Sequence, residues 1–523
     1  MSGGVGRHAR RQRILDSIER VGNSLPDPAL IFVILIAVLA LVSWAAAAAG
    51  LSAIHPRTGE TLVAESLLSQ DNLRRLLVDM PQTFTAFPPL GLVIVIMLGA
   101  AVAERSGLFA TLIGRAVTRA PRSLLTPVTF LVALLSHHAS DAAYVVLVPL
   151  AAMLYQQAGR HPLVGIAVAY AGISGAFAAN LLPGQFDVLI LGITQSAAQL
   201  IDPRAQLNPL GNWWFTATLA AVLFVVGWWV TETRVAPRLE GNLAMSSTDP
   251  GPAHPPAAAT TRPDESRGLR HAALGALAVI LAIAALVLWP SGSPLVDATA
   301  SGPARYAPFY KSLVAGFMLL FLVSGWCYGR AVGTVRTHRD AFAMMTAGLK
   351  ELTPYFVLAF FAAHFIAMFG WSNLGPIIAI HGAEWLRSLD LGTAMILLPL
   401  LLISMIFDLL IGSASAKWSA MAPIVVPMLM LIGISPEMAT AAFRVGDSIV
   451  NIITPIAANF VLVLVICQRW RADFGIGSLI ALMLPYSVAF GIAGAALVTL
   501  WAGLALPLGP GAPALLPLAP GSP

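Results

Sequence analysis

Residues 404–460 read SMIFDLLIGSASAKWSAMAPIVVPMLMLIGISPEMATAAFRVGDSIVNIITPIAANF. The stretch is apolar enough for membrane burial, yet it carries Asp408, Lys417, Trp418, Glu437, Arg444, Asp447 and Asn451. Gly412, Pro423, Pro427, Gly433, Pro436, Gly446 and Pro455 interrupt it at short intervals. In lipid, broken backbone persists only where protein buries it or where it lines a wet cavity. Ionisable groups at that depth are costly and mark ion or substrate paths. The stretch reads as the substrate and ion site of a membrane transporter.

The rest of the chain agrees with a membrane setting. Of its 523 residues 58% are hydrophobic and only 11% charged, against about 25% charged in soluble domains. The expected class is an all-α polytopic membrane protein. The formal charge of +5 reports topology, since no basic cluster sits on a soluble domain, and nucleic-acid binding is excluded as a reading. Cys327 and Cys467 offer neither a disulfide framework nor metal-ligand spacing. Arg7, Arg10, Arg11, Arg13 and Arg20 precede an apolar run from Ala29 to Ala49, longer than the roughly 7–15-residue core of a signal peptide. A first spanning helix with a cytoplasmic N-terminus follows.

Working outward, uninterrupted spans are expected at 28–50, 84–103, 212–231, 271–289, 311–329, 353–371 and 476–506. Residues 51–82 form a polar external connection. Residues 124–155 are split by SHHASDAAY (136–144) into two arms shorter than the ~20 residues a span needs, which predicts a re-entrant hairpin. Residues 393–433 are split in the same way by GSASAKW (412–418). Residues 163–200 break near Asn180–Gly184, and 436–466 break near Thr454–Pro455. A segment rich in Pro, Ala, Ser and Thr at 234–270 predicts a flexible cytoplasmic linker. It divides a first half (1–233) from a second (271–523). Arginines at 115, 119 and 122, at 330, 336 and 339, and at 469 and 471 mark inside loops, and the charge-free last span leaves the C-terminus outside.

The halves repeat an order of features. Ser140–Asp141–Ala142–Ala143–Tyr144 then VVLVPLAAM answers Ser415–Ala416–Lys417–Trp418 then APIVVPMLM. Gly175 to Asn180 then Pro183 answers Gly446 to Asn451 then Pro455. Paired interrupted segments in corresponding places point to the binding site of an inverted-repeat secondary transporter.

Arg444, Asp447, Ser448, Asn451 and Thr454 fall on one helical stripe. Their oxygens suit a small hard cation. Arg444 either neutralises Asp447 or grips a substrate carboxylate bidentately. At the hairpin tip, the small residues around Ser415 let backbone approach a ligand, and a half-helix N-terminus presents free N–H groups to anions. Trp418 offers a flat face to an aromatic ring, or packs; Lys417 snorkels to the headgroups. Asp187, the only formal charge between Arg160 and Asp202, is a proton-carrier or ligand candidate, or a helix-end cap. His137, His138 and Asp141 form a titratable group that a membrane-embedded hydrolase could use, but no H-E-x-x-H, G-x-S-x-G or Walker-type motif is present. No cofactor is expected beyond a coupling cation.

Seven stretches carry a family resemblance: ERVGNSLPDP (19–28), FPPLGLVIVIMLGAAVAERSGL (87–108), ASDAAYVVLVPL (139–150), SGAFAANLLPGQFDVLILGIT (174–194), YFVLAFFAAHFIAMFGWSNLG (355–375), GSASAKWSAMAPIVVPM (412–428) and FRVGDSIVNIITP (443–455). The chain resembles the AbgT family of p-aminobenzoyl-glutamate transporters. The resemblance implies nine spanning helices, two re-entrant hairpins and a homodimer in the bacterial cytoplasmic membrane. It implies import of p-aminobenzoyl-glutamate or export of p-aminobenzoate and sulfonamide antimetabolites, driven by sodium or protons. It assigns Asp187, Ser415, Trp418, Pro436, Arg444 and Asp447 to the substrate path; Ser140, Asp141 and Asn180 are further candidate contacts from the first hairpin and broken helix. A sodium site is implied at Asp447 and Asn451. Asp408 stands where the family pattern has Asn, adding a further cation ligand or favouring protons, and His364 stands where it has Gln.

An aliphatic dicarboxylate on the same fold is the alternative substrate. If Trp418 meets an aromatic ring, Trp418→Ala should depress uptake of p-aminobenzoate far more than uptake of succinate, measured side by side in proteoliposomes.

Overall fold

The interruptions noted above become the joints of the molecule. The computed structural model describes residues 28–56, 59–136, 143–240, 263–289, 292–300, 305–409 and 411–517. Helix α1 (Pro28–Ala48) leads into a hairpin of β1 (Ser52–Ile54) antiparallel to β2 (Thr61–Val63), with Ala53 opposite Leu62. Short helices α2 (Gln70–Val78) and α3 (Met80–Thr85) follow, so the polar connection at 51–82 is structured. Next come α4 (Pro88–Arg105) and α5 (Leu108–Thr118). The first hairpin is α6 (Leu125–Leu135) and α7 (Val148–Gln157), the latter entered through a π turn at Ala143–Leu147. Its tip residues His137, His138, Ser140 and Asp141 lie outside the described residues.

The first broken helix is α8 (Pro162–Tyr170), extended by a π turn at Ala171–Gly175, and α9 (Gln185–Ala198). Helix α10 runs from Trp213 to Glu240, and α11 (Pro263–Val287) opens the second half, followed by α12 (Ala307–Val332), α13 (His338–Glu351), α14 (Thr353–Trp371) and α15 (Leu374–Ser388). The second hairpin is α16 (Thr393–Asp408) and α17 (Ala414–Leu431). The second broken helix is α18 (Pro436–Val450), a 3-10 turn at Asn451–Ile453, and α19 (Ala458–Gln468). The last helix is α20 (Ile476–Gly503).

Among the described residues eight helices are long and apolar enough to cross a membrane: α1, α4, α10, α11, α12, α14, α17 and α20. Seven coincide with the uninterrupted spans among the nine expected. The other two expected spans are the broken pairs α8–α9 and α18–α19. The eighth long helix, α17, is the second arm of a hairpin.

Two expectations are corrected, and a third segment, given no reading above, is helical. The linker drawn at 234–270 is helical at both edges, because the apolar pattern of α10 carries on through the buried Val235 and Ala236, and because Pro263, Asp264 and Glu265 make a favourable first turn for α11. Residues 338–351, read as part of an inside loop, form α13. Its start is fixed by Asp340 Oδ2, which accepts the backbone N–H groups of Thr337 (2.7 Å) and Arg336 (2.8 Å). Those bonds, Thr337 first, hold the Asp340 carboxyl below its ordinary range. Residues 374–388 are helical as well, entered at Asn373 with φ 55°.

The hairpins interlock the halves. In the first, α7 packs on α8 of its own half and on α19 of the other. In the second, α16 packs on α18 of its own half, while α17 packs on α9 of the other. Contacts are close because small residues face neighbouring backbone. A Cβ on Gly446 would lie 2.3 Å from Leu401 O and 2.8 Å from Ser404 Cβ, and one on Gly325 would lie 2.6 Å from Ala103 Cα. Beyond α20 the chain forms a strap. Leu508 O accepts from Trp214 N (2.8 Å), Pro510 O from Asn208 Nδ2 (2.9 Å) and Ala514 O from Ser435 N (3.0 Å), while Leu516 N donates to Gly433 O (2.8 Å).

Gly446→Val is expected to cost about 1–3 kcal/mol of stability by overpacking, read as a lower Tm of the full-length protein in detergent. Gly392→Ala, whose added Cβ meets nothing within 4 Å, should leave Tm unchanged.

Candidate functional site

Among the described residues the site assembles where the second hairpin meets the breaks of both halves. Helix α18 supplies its backbone axis. Ser435 Oγ accepts Met438 N–H at 3.1 Å, Pro436 takes the first helical position and Glu437 the first turn, a start that both capping and the helix dipole favour. All fifteen residues of α18 are buried. Helix α17 begins where Ser413 Oγ accepts Ala416 N–H at 3.3 Å, and Ser415 Oγ lies 3.2 Å from Ser413 Oγ.

Lys417 does not reach the headgroups. Its side chain is fully buried, and its ammonium pairs with Asp408 and lies 2.5 Å from Asp447 Oδ1. The second contact is an ion pair without hydrogen-bond geometry; among the described residues Asp447 Oδ1 has no hydrogen-bond partner. With its amide nitrogen turned toward the carboxylate, Asn451 donates to Asp408 at 3.3 and 3.1 Å. Asn451 O in turn accepts from the Tyr170 hydroxyl at 3.4 Å. Asp447 and Asn451, which the resemblance gives to a cation, are therefore gathered with Asp408, which departs from the family pattern, and an ammonium from the second hairpin stands between the two carboxylates.

Arg444 does not pair with Asp447 either. Its guanidinium reaches across to the first half, 2.6 Å from Asp187 Oδ1, 3.5 Å from Ala178 O and 5.4 Å from the Phe186 ring centroid. Asp187 also accepts Gly184 N–H at 2.7 Å and Asn180 Nδ2 at 2.9 Å, so it both caps α9 and forms an ion pair. Burying this pair costs several kcal/mol per ion before attraction is counted, and loss of one partner leaves an uncompensated charge. Arg444 Nε is buried without a partner among the described residues.

Trp418 is fully buried. Its indole N–H donates to Thr194 Oγ1 at 2.8 Å, and Thr194 bonds Thr440 at 2.9 Å. One indole face is covered by Phe443, with centroids 4.3 Å apart and planes at 24°. Pro436 O accepts the Thr440 hydroxyl at 2.7 Å. A cavity of about 10 Å³, room for about one water, is lined by Asp187, Thr440 and Arg444 with Pro183, Leu191, Asn208, Gly211, Asn212, Trp213 and Thr216. Each predicted site residue among the described ones lies in or beside this arrangement. Thr194, Thr440 and Phe443 were missed and left no signal, while Lys417 was misread although it lies nine positions from Asp408. His364 is buried on α14, with Nδ1 2.7 Å from Phe360 O; no site residue bonds it.

Known proteins share this plan. Residues 13–516 match the family described as "AbgT putative transporter family". A p-aminobenzoyl-glutamate transport protein of Escherichia coli (strain K12) is 35% identical over 494 residues, 94% of this chain and 95% of that protein. The YdaH transporter of Alcanivorax borkumensis, described as having an unusual topology, superposes with a TM-score of 0.86 at 39% identity, covering 93% of this chain and all of that one. MtrF of Neisseria gonorrhoeae, from a class described as antimetabolite efflux pumps, gives 0.88 at 38% identity, covering 96% and 100%. With a family match over nearly its full length and a relative 35% identical over 94% of it, this multi-pass membrane protein belongs to the AbgT transporter family.

Proposed function

We propose that this chain is a cation-coupled secondary transporter of p-aminobenzoyl-glutamate or of p-aminobenzoate- and sulfonamide-type aromatic carboxylates. It sits in the bacterial cytoplasmic membrane as a homodimer, with its N-terminus inside and its C-terminus outside. The observation that carries this reading is the Arg444–Asp187 pair. It joins the broken helices of both halves beside a cavity, and Arg444 keeps a buried N–H without a partner among the described residues. A substrate carboxylate arriving there would exchange with Asp187 for a guanidinium that binds carboxylates bidentately. Free N–H groups at the start of α17, near Ser415, would add positive potential.

The aromatic ring of the substrate fits the neighbourhood of Trp418 and Phe443, which reaches the cavity through Thr194 and Thr440. Since Trp418 is stacked on Phe443 here, contact with the substrate uses the remaining indole face or a shifted Phe443. The present cavity is too small for any such substrate, so binding requires α17 and α18 to separate from α9. The coupling cation, sodium or a proton, is assigned to Asp408, Asp447 and Asn451, where it shares the carboxylates with Lys417. This arrangement links the ion to the substrate, because Asp447 lies one turn after Arg444 on α18.

The test is counterflow in proteoliposomes with labelled p-aminobenzoyl-glutamate and p-aminobenzoate, under sodium or under choline. Exchange of both aromatic compounds is expected; exchange of succinate alone would sink the aromatic reading. Asp447→Asn should abolish gradient-driven accumulation, and wild-type accumulation by that variant would remove Asp447 from the coupling site. Asp187→Ala should lower stability by about 3–5 kcal/mol because it strands the buried Arg444. Thermal unfolding checks this against Asp187→Asn, whose amide oxygen keeps the Gly184 bond and should cost less.

A further inference from the structure

One buried acid takes no part in the pairs described above. Glu437 is 7% exposed, and among the described residues no cation or side-chain hydrogen-bond donor meets it. Its carboxylate lies against Gly211: a Cβ built there would be 3.2 Å from Glu437 Cγ and 3.7 Å from Oε1. Gly211 lines the Arg444 cavity, as does Asn212, whose amide nitrogen is buried without a partner among the described residues. Glu437, Thr440 and Arg444 are spaced i, i+3 and i+7 on α18, which places them on one face. Thr440 and Arg444 line the cavity. The face therefore runs from a carboxylate at one end to a guanidinium at the other, over roughly 10 Å of helix.

The loop carrying Gly211 and Asn212 is held in place from outside. Asn208 Oδ1 accepts Leu210 N–H at 2.9 Å, Asn208 Nδ2 donates to Pro510 O, and Trp213 Nε1 donates to Leu181 O at 2.8 Å. The absence of a side chain at Gly211 is what leaves room beside the Glu437 carboxylate. A buried carboxyl whose one donor among the described residues is its own backbone N–H is costly to hold there. The helix dipole at the start of α18 offsets part of that cost, but supplies no donor from outside the helix.

We propose that Glu437, beside Asn212, is the amine-end subsite of the substrate path, accepting the N–H groups of an aromatic amine whose carboxyl-bearing end faces Arg444. The proposal rests on the aromatic-carboxylate reading given above and deepens it. The span between the two ends suits a para-substituted ring with one hydrogen bond at each end. The amine is also the group that p-aminobenzoate, its glutamate conjugate and the sulfonamides share, while their other ends differ. A fixed amine subsite lets one path take all three. A carboxyl oxygen accepts an N–H in either protonation state, and a site built to bond a polar group discriminates strongly against ligands lacking it.

The experiment compares p-aminobenzoate with benzoate as competitors in counterflow, and as ligands that raise the Tm of the full-length protein in detergent. The wild type should favour p-aminobenzoate by about tenfold or more. Glu437→Ala should bring the ratio near one, chiefly by weakening p-aminobenzoate, and Glu437→Gln should give an intermediate ratio. A purely helix-capping Glu437 would move Tm in both variants and leave the ratio unchanged, which would overturn the proposal. If the alanine variant does not fold, the ratio in Glu437→Gln decides alone. A wild type that binds both compounds equally refutes the subsite while sparing the transport reading; a wild type that binds neither refutes both.

Discussion

The ammonium of Lys417 is the contact on which the second half of the molecule turns. It sits at the start of α17 and meets Asp408 at the end of α16 and Asp447 in the last turn of α18, so a single side chain ties both arms of a hairpin to a broken helix. Charges buried this deeply are stable only when each has a partner, and a hydrophobic replacement of similar shape is often as stable as a buried pair. Structural need alone therefore explains little of this cluster. Its neighbour one turn away, Arg444, extends the same logic across the molecule by pairing with Asp187. Two polar clusters are thereby joined through one helix, α18.

Much of the architecture was legible in the sequence because membrane folds leave strong marks. The two hairpins and two broken helices announce themselves as apolar runs interrupted by Gly, Pro and polar residues, and the stripe from Arg444 to Thr454 marks the inward face of α18. Pairings between distant segments were not legible. Arg444 has an acid three residues away, yet its partner is Asp187 in the other half. That choice depends on how α9 and α18 cross, which no local pattern contains. Lys417 was misread for a related reason: at a hairpin tip, sequence does not say whether a long cationic side chain points to the headgroups or inward. Helix α13 was missed because a polar, capped helix lacks the long apolar signature of a span, and α15 and the edges of the linker because their helical stretches are too short to show one.

The site is also a study in small residues. Gly446 brings α18 onto the backbone of α16, and Gly211 leaves space beside Glu437. These contacts set the distances over which the acids, the lysine and the arginine interact. They also mean that the helices touch through backbone rather than through interlocking side chains. Surfaces of this kind can separate without a side chain having to withdraw from a socket, which suits a site that must open.

The strap formed by residues 508–516 constrains where such opening can happen. It bonds the 208–215 region of the first half and the 433–435 turn of the second at the same end of the molecule. The two halves are thereby bound along one edge, like pages along a spine. Motion that parts them is then a fan, widest at the unbound edge and smallest at the strap. On this geometry the loop beside Gly211 stays close to the bound edge, and the tip of the second hairpin, a full helix length from the 433–435 turn, lies at the far end from it.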